Sequence, residues 1–132
     1  MEDCIFCKII KGEVPSYIID ENDDVIAFLA LEGHPLVVTK KHIPNIYTLD
    51  DKSGAAVMKA AVKVSNALKE SLNCDGINLI QANEPAARQD IFHFHLHVKP
   101  RWKNDSVVID WEIKELSSEE RSQMQKKIKN AL

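Results

Sequence analysis

Residues 90–102 read DIFHFHLHVKPRW, and within them His93, His95 and His97 alternate with Phe94, Leu96 and Val98. Strict alternation of polar and large apolar residues has a period of two, the side-chain period of a β-strand and not of a helix. The spacing predicts a strand over 92–100, with three imidazoles on one face and Phe92, Phe94, Leu96 and Val98 on the other. An apolar strand face needs a cover. Between Asp50 and about Asn73, Val57, Ala61, Val64, Leu68 and Leu72 recur at steps of three and four, while Lys59, Lys63, Lys69 and Glu70 fall elsewhere on the wheel. This predicts an amphipathic helix that can pack on the strand. Asp50 or Asp51 can cap its start, and Gly76 follows its end, where positive φ is often needed.

Further elements are legible around this pair. Residues 5–11 predict a short helix stopped by Gly12 and Pro15. SYIID (16–20) and DVIAFLAL (24–31) are apolar and β-prone, and ENDD between them supplies hairpin turn chemistry. PLVVTK (35–40) is a third strand and GINLIQA (76–82) a fourth. NEPAARQD (83–90) is a polar loop. SSEERSQMQKKIKNAL is a C-terminal helix opened by a Ser117–Glu120 capping box. Five strands beside a few segregated helices predict an antiparallel α+β domain.

The 132 residues suit a single domain, with a core over 4–102 and a C-terminal extension carrying a helix over 103–132. The net charge of −3 argues against a nucleic-acid partner, which needs a basic face. No apolar run reaches the length of a membrane span, and MEDCIFCKII lacks a basic start followed by an apolar stretch, so a cytoplasmic location is expected. The three cysteines do not suggest a disulfide framework. Cys74 reads as a small residue near a helix end. Cys4 and Cys7 form C-x-x-C, either half of a metal site or a redox pair.

The three histidines admit three readings. The first is a solvated strand face rich in histidine. The second is a metal site, but the Cβ atoms on a flat strand spread over ~13 Å, so one imidazole can be a ligand and all three do not converge on one ion. The third is nucleophilic catalysis, since neutral imidazole attacks phosphorus at physiological pH and a protonated neighbour offsets phosphate charge. Asn83, Arg88 and Gln89 add donors just upstream, a lining suited to phosphoryl or nucleotidyl transfer. No G-x-x-x-x-G-K or G-x-G-x-x-G run is present.

HFHLHVKP resembles the signature of the histidine triad (HIT) superfamily. CIFCKIIKGEVPSY, DVIAFL, GHPLVVTKKHIPNI and NEPAARQDIFHFHLHVKPRW fall in family order, so the resemblance covers about residues 4–102. It is strongest to the Hint-like branch of small bacterial HIT proteins. The resemblance implies a HIT-like fold with a five-stranded antiparallel sheet, a long helix and a homodimer whose sheets run into one another. It implies hydrolysis or transfer at the α-phosphorus of a purine nucleotide conjugate, a nucleoside phosphoramidate or dinucleoside polyphosphate. His95 takes the nucleophile's place, forming a nucleotidyl-histidine intermediate, and His97 stabilises the α-phosphate. Gln89 donates to phosphate oxygens, and His34 supports the triad from behind. Phe6, Ile9 and Phe28 flank the base, Asn83 lies near ribose or phosphate, and Asp90 lies near the leaving group. The zinc ligands of many bacterial members fall on Cys4, Cys7, His42 and His93. Two thiolates and two imidazoles make a closed, structural tetrahedral site.

Three positions depart from the family pattern. Ala30 stands where an Asp usually grips the ribose hydroxyls, and Glu32 is the nearby carboxylate that would have to substitute. Arg88 stands where Gly is common and lacks a glycine's backbone freedom. Asp90 replaces a hydroxyl and cannot donate a proton when ionised. The loss at position 30 keeps open a nucleotide-binding scaffold with little turnover.

Overall fold

The computed structural model describes residues 3–111 and 114–132. Its elements are α1 (Ile5–Ile10), β1 (Ile18–Glu21), β2 (Val25–Leu29), β3 (Pro35–Thr39), α2 (Asp51–Leu72), β4 (Gly76–Ile80), β5 (His95–Arg101) and α3 (Ser118–Ala131), with 3-10 turns at Ile46–Thr48 and Pro85–Ala87. The strands form one antiparallel sheet in the order β1-β2-β3-β5-β4. The α+β architecture is as the sequence predicts.

The β1–β2 hairpin is closed by Asn22, whose Oδ1 accepts from the N–H groups of Asp24 at 2.9 Å and Val25 at 3.0 Å. β2 and β3 are near-continuous apolar runs because both faces of the sheet are covered. Val25, Ala27 and Val37 point to α2, where they join Val57, Ala60, Ala61, Val64 and Leu68 together with Phe94, Leu96 and Val98. Ile26, Phe28, Leu36 and Val38 point the other way, onto Phe6 and Ile9 of α1. Each large side chain so buried contributes about 1.5–3 kcal/mol.

Asp50 caps α2, its Oδ1 accepting from Ser53 N–H at 2.9 Å. At the other end it is Asn73, not Gly76, that takes the left-handed conformation, at φ 50°. A short polar side chain tolerates that region, and Gly76 opens β4 instead. The buried stripe of α2 stops at Leu68, and Leu72 is 49% exposed.

The strand carrying the histidines begins at His95 rather than residue 92. Its neighbour β3 stops at Thr39, so Phe94 meets irregular chain and its N–H donates to the Ile43 carbonyl at 2.6 Å. Phe94, Leu96 and Val98 are buried against α2 as expected, but Phe92 precedes the strand and is 47% exposed. α3 has the expected capping box, with both Ser117–Glu120 hydrogen bonds formed. None of its residues is buried. Among the described residues, no helix is long and apolar enough to cross a membrane.

Candidate active site and metal centre

Because Leu96 and Val98 face α2, His95 and His97 face the other side of the sheet, where α1 lies. The Phe6 ring meets His95 edge-on, with centroids 5.0 Å apart. His95 is 6% exposed. Its Nδ1 lies 2.7 Å from the His93 carbonyl oxygen. A carbonyl only accepts, so Nδ1 carries the proton and donates, and Nε2 of the neutral ring holds the free lone pair.

His97 pairs with His34, which the Gly33 turn places just before β3 and opposite β5. His34 Nε2 lies 2.8 Å from His97 Nδ1. His34 Nδ1 is buried with no partner among the described residues. An orphaned buried acceptor is tolerated better than an orphaned N–H. The favoured arrangement therefore has His34 Nε2–H donating to His97 Nδ1, which leaves His97 with an Nε2–H donor. Burial, reinforced by the neighbouring His95 and His34 rings, holds the His97 pKa down at about 4, against the opposing pull of Asp90 and Glu32. His34 is also held below its ordinary value, by burial and then by Lys99. In the free protein His97 is thus a neutral hydrogen-bond donor.

Cys4 is the N-cap residue of α1 and Cys7 lies within it, His42 follows β3, and His93 precedes β5. Their donor atoms all lie within 4.8 Å of one another. Sγ of Cys4 is 3.4 Å from His93 Nδ1, and Sγ of Cys7 is 3.2 Å from His42 Nδ1 and 3.6 Å from His93 Nδ1. Zinc bonds of ~2.0–2.3 Å in a tetrahedron put sulfur and nitrogen ligands about 3.5 Å apart, so the donor set fits that ion. His93 Nε2 lies 2.6 Å from the Thr39 carbonyl, which makes it the N–H and leaves Nδ1 as a lone pair aimed at the sulfurs. Burial raises the Cys7 thiol pKa, with Cys4 adding to it. A bound cation would reverse that direction by stabilising the thiolate.

Phe6, Ile9 and Phe28 come together as an apolar wall beside the triad, with Phe6 and Phe28 in edge contact at 5.6 Å. Asn83 is tied to the chain: its Oδ1 accepts from Ile46 N–H at 2.8 Å, and its amide pairs with Gln81. Asp90 is exposed and accepts from Ile91 N–H at 2.9 Å. It lines a surface cavity of about 460 Å³ together with Asp3, Cys4, Ile5, His42, Ile91 and Phe92.

The loop between β4 and the triad holds two departures from expectation. Arg88 adopts φ 67°, ψ 31°, the left-handed conformation that the sequence denies a non-glycine residue, and Glu84 sits at φ 70°, ψ 158°, a region nearly confined to glycine. Gln89 holds this loop in shape. Its Oε1 accepts from Glu84 N–H at 2.7 Å, and its Nε2 donates to the carbonyls of Pro44 at 2.6 Å and Ile91 at 3.2 Å. The amide that was expected to face phosphate is thereby committed to the backbone. Sequence reasoning missed Thr39 and Pro44 as partners of the site, because both act through backbone carbonyls, which leave no mark in side-chain identity.

The model of the HIT domain matches residues 11–104. An uncharacterized HIT-like protein of Borreliella burgdorferi is 48% identical over 80% of this chain and 80% of its own length. The adenosine 5'-monophosphoramidase HNT1 of Saccharomyces cerevisiae is 31% identical over 95% of this chain and 80% of its own. Among solved structures, a HIT family protein from Bacillus anthracis superposes with a TM-score of 0.92 at 34% identity, covering 99% of this chain and 98% of its own. A Zn-bound histidine triad family protein from Mycobacterium smegmatis superposes with a TM-score of 0.77 at 29% identity, covering 86% and 85%. A HIT domain match over most of the chain, with relatives and a shared fold matched along most of its length, places this chain in the HIT domain family.

Proposed function

We propose that the chain is a nucleotide hydrolase or nucleotidyl transferase that works at the α-phosphorus of a purine nucleoside phosphoramidate or dinucleoside polyphosphate. The observation that carries this reading is the 2.7 Å bond from His95 Nδ1 to the His93 carbonyl. It fixes the tautomer that presents the Nε2 lone pair, and a fixed neutral imidazole is a nucleophile that needs no further activation. Nε2 bonds to phosphorus, the bond to the leaving nitrogen or oxygen breaks, and the leaving group takes up a proton from solvent, which the water of the second step returns. Water then displaces His95 and releases the nucleoside monophosphate. His97 donates Nε2–H to a phosphate oxygen, with His34 fixing its ring. Phe6, Ile9 and Phe28 receive the base, Asn83 and Asp90 border ribose and leaving group, and Gln89 shapes the loop. The phosphoramidase name of the yeast relative supports this substrate class.

Cys4, Cys7, His42 and His93 hold zinc in this reading, supported by the Zn-bound neighbour. Four protein ligands leave no position for water, so the ion supplies structure rather than Lewis acidity. Metal analysis of the purified protein, with Cys4→Ser losing the ion, checks it. A homodimer in the cytoplasm completes the reading. β4 is a sheet edge with Leu79 and Ile80 exposed, and sedimentation measures the state.

Incubation with an adenosine phosphoramidate tests the activity. The wild type releases AMP, and folded His95→Ala does not. Undiminished release from the variant rejects the mechanism. Tight nucleotide binding without turnover in the wild type points to a binding scaffold, the reading that Ala30 favours.

A further inference from the structure

The cysteine–histidine centre and the candidate nucleophile share two physical links. The first is His93. Its side chain is pinned at both ring nitrogens, Nδ1 between the two sulfurs and Nε2 on the Thr39 carbonyl, while its backbone carbonyl accepts from His95 Nδ1. The residue that fixes the tautomer of His95 is thus held by the metal ligands. It also lies outside the β5 ladder, so regular sheet pairing does not fix its carbonyl. The second link is Phe6, which sits between Cys4 and Cys7 on α1. Its ring meets both His93 and His95 edge-on, at 5.9 and 5.0 Å.

The helix that carries this ring has few other anchors. α1 is six residues long, has no side-chain cap, and buries only Phe6 and Ile9. A single isolated turn and a half is not stable in water. Its hold on the sheet depends on those two side chains, on the partly buried Ile10 and on the cysteines at its start and middle.

We propose that the Cys4/Cys7/His42/His93 centre is the positioning device for His95, holding its hydrogen-bond acceptor through His93 and its apolar cover through Phe6. Loss of the ion frees α1, lets the His93 carbonyl drift, and leaves the His95 ring to sample both tautomers, so that the Nε2 lone pair is no longer reliably presented. His93 and Phe6 are then positioning residues. The proposal rests on His95 being the nucleophile and adds that the metal centre sets its competence.

The test removes the metal from the intact protein with a chelator and follows four readouts: circular dichroism, amide hydrogen exchange of α1, long-range 15N–1H spectra of the His95 ring, and turnover of an adenosine phosphoramidate. The expected result is retained sheet and α2 signal, loss of protection in α1, a shift of His95 from pure Nδ1–H to a tautomer mixture, and a fall in kcat of about 10–100-fold, the usual scale for losing a supporting partner. Added zinc restores all of these. In the full chain His42→Ala behaves as the metal-free protein, and added zinc does not restore it. A metal-free protein that stays folded with pure Nδ1–H tautomer and unchanged kcat overturns the proposal. Should the metal-free chain unfold, zinc-loaded Phe6→Leu puts the same question, and unchanged ring spectra and kcat there also overturn it. Failure of the enzymatic reading is distinguishable, because AMP is then absent with and without zinc while the ring spectra still report the coupling.

Discussion

Lowering the pH from 7 to 4 perturbs His97 in a way the structure specifies. Its ordinary pKa of 6.5 is depressed to about 4, first by burial and then by His95 and His34, which together outweigh the carboxylates of Asp90 and Glu32. At pH 6.5 an ordinary histidine is half protonated, whereas a group with pKa about 4 is protonated in about one molecule in 300. The ring resonances of His97 should therefore stay flat through neutrality and move only near pH 4. The sign for stability follows from linkage. A depressed pKa means that protons favour the unfolded chain, so the contribution is fully present above pH 6.5 and is lost as pH falls toward about 4. At ~1.4 kcal/mol per unit the ceiling is ~3 kcal/mol, and partial solvent screening of a half-buried ring reduces this to about 1–2 kcal/mol. Urea unfolding of wild type and His97→Gln across this window isolates the contribution, because acid release of a metal affects both chains alike. A His97 midpoint at or above 6.5 refutes the argument that burial and neighbouring imidazoles dominate the site.

Gln89→Ala removes three hydrogen bonds that clamp the strained loop at Glu84 and Arg88, and should cost about 1–3 kcal/mol in urea unfolding besides lowering turnover. A residue that only touched substrate would leave stability unchanged. Asp50→Ala removes the α2 cap and should lower the urea midpoint with no effect on KM. Leu68→Ala opens a cavity between α2 and the sheet and should cost about 2–4 kcal/mol by the same measurement, again without touching the triad.

The fold was legible where one periodicity governed a long segment. Val57, Ala61, Val64 and Leu68 announced α2, and the Ser117–Glu120 box announced α3, because both patterns are local. The start of β5 was not legible, since whether residues 92–94 pair depends on where β3 ends, a property of another segment. Side-chain chemistry identified the Cys4, Cys7, His42 and His93 cluster once family order had brought the blocks together, and the structure places all four donors around one point. The depressed pKa of His97 is not legible in the sequence, because burial and the His34 pairing are tertiary facts. The backbone partners of the Gln89 side chain are hidden for a similar reason. Its carbonyl partners on Pro44 and Ile91 are backbone groups that any sequence would supply. Arg88 shows the converse, a local conformational preference overridden by the loop's hydrogen bonds.

The central claim is that His95 Nε2 forms a bond to phosphorus. Acid-sensitive covalent intermediates can be caught by rapid mixing with an adenosine phosphoramidate, quenching under basic conditions, and mapping the modified peptide by mass spectrometry. The account predicts a nucleotidyl group on the peptide containing His95, forming and decaying at rates compatible with turnover and absent from His95→Ala. A protein that releases AMP while carrying no such adduct, or carrying it on His97, would contradict it.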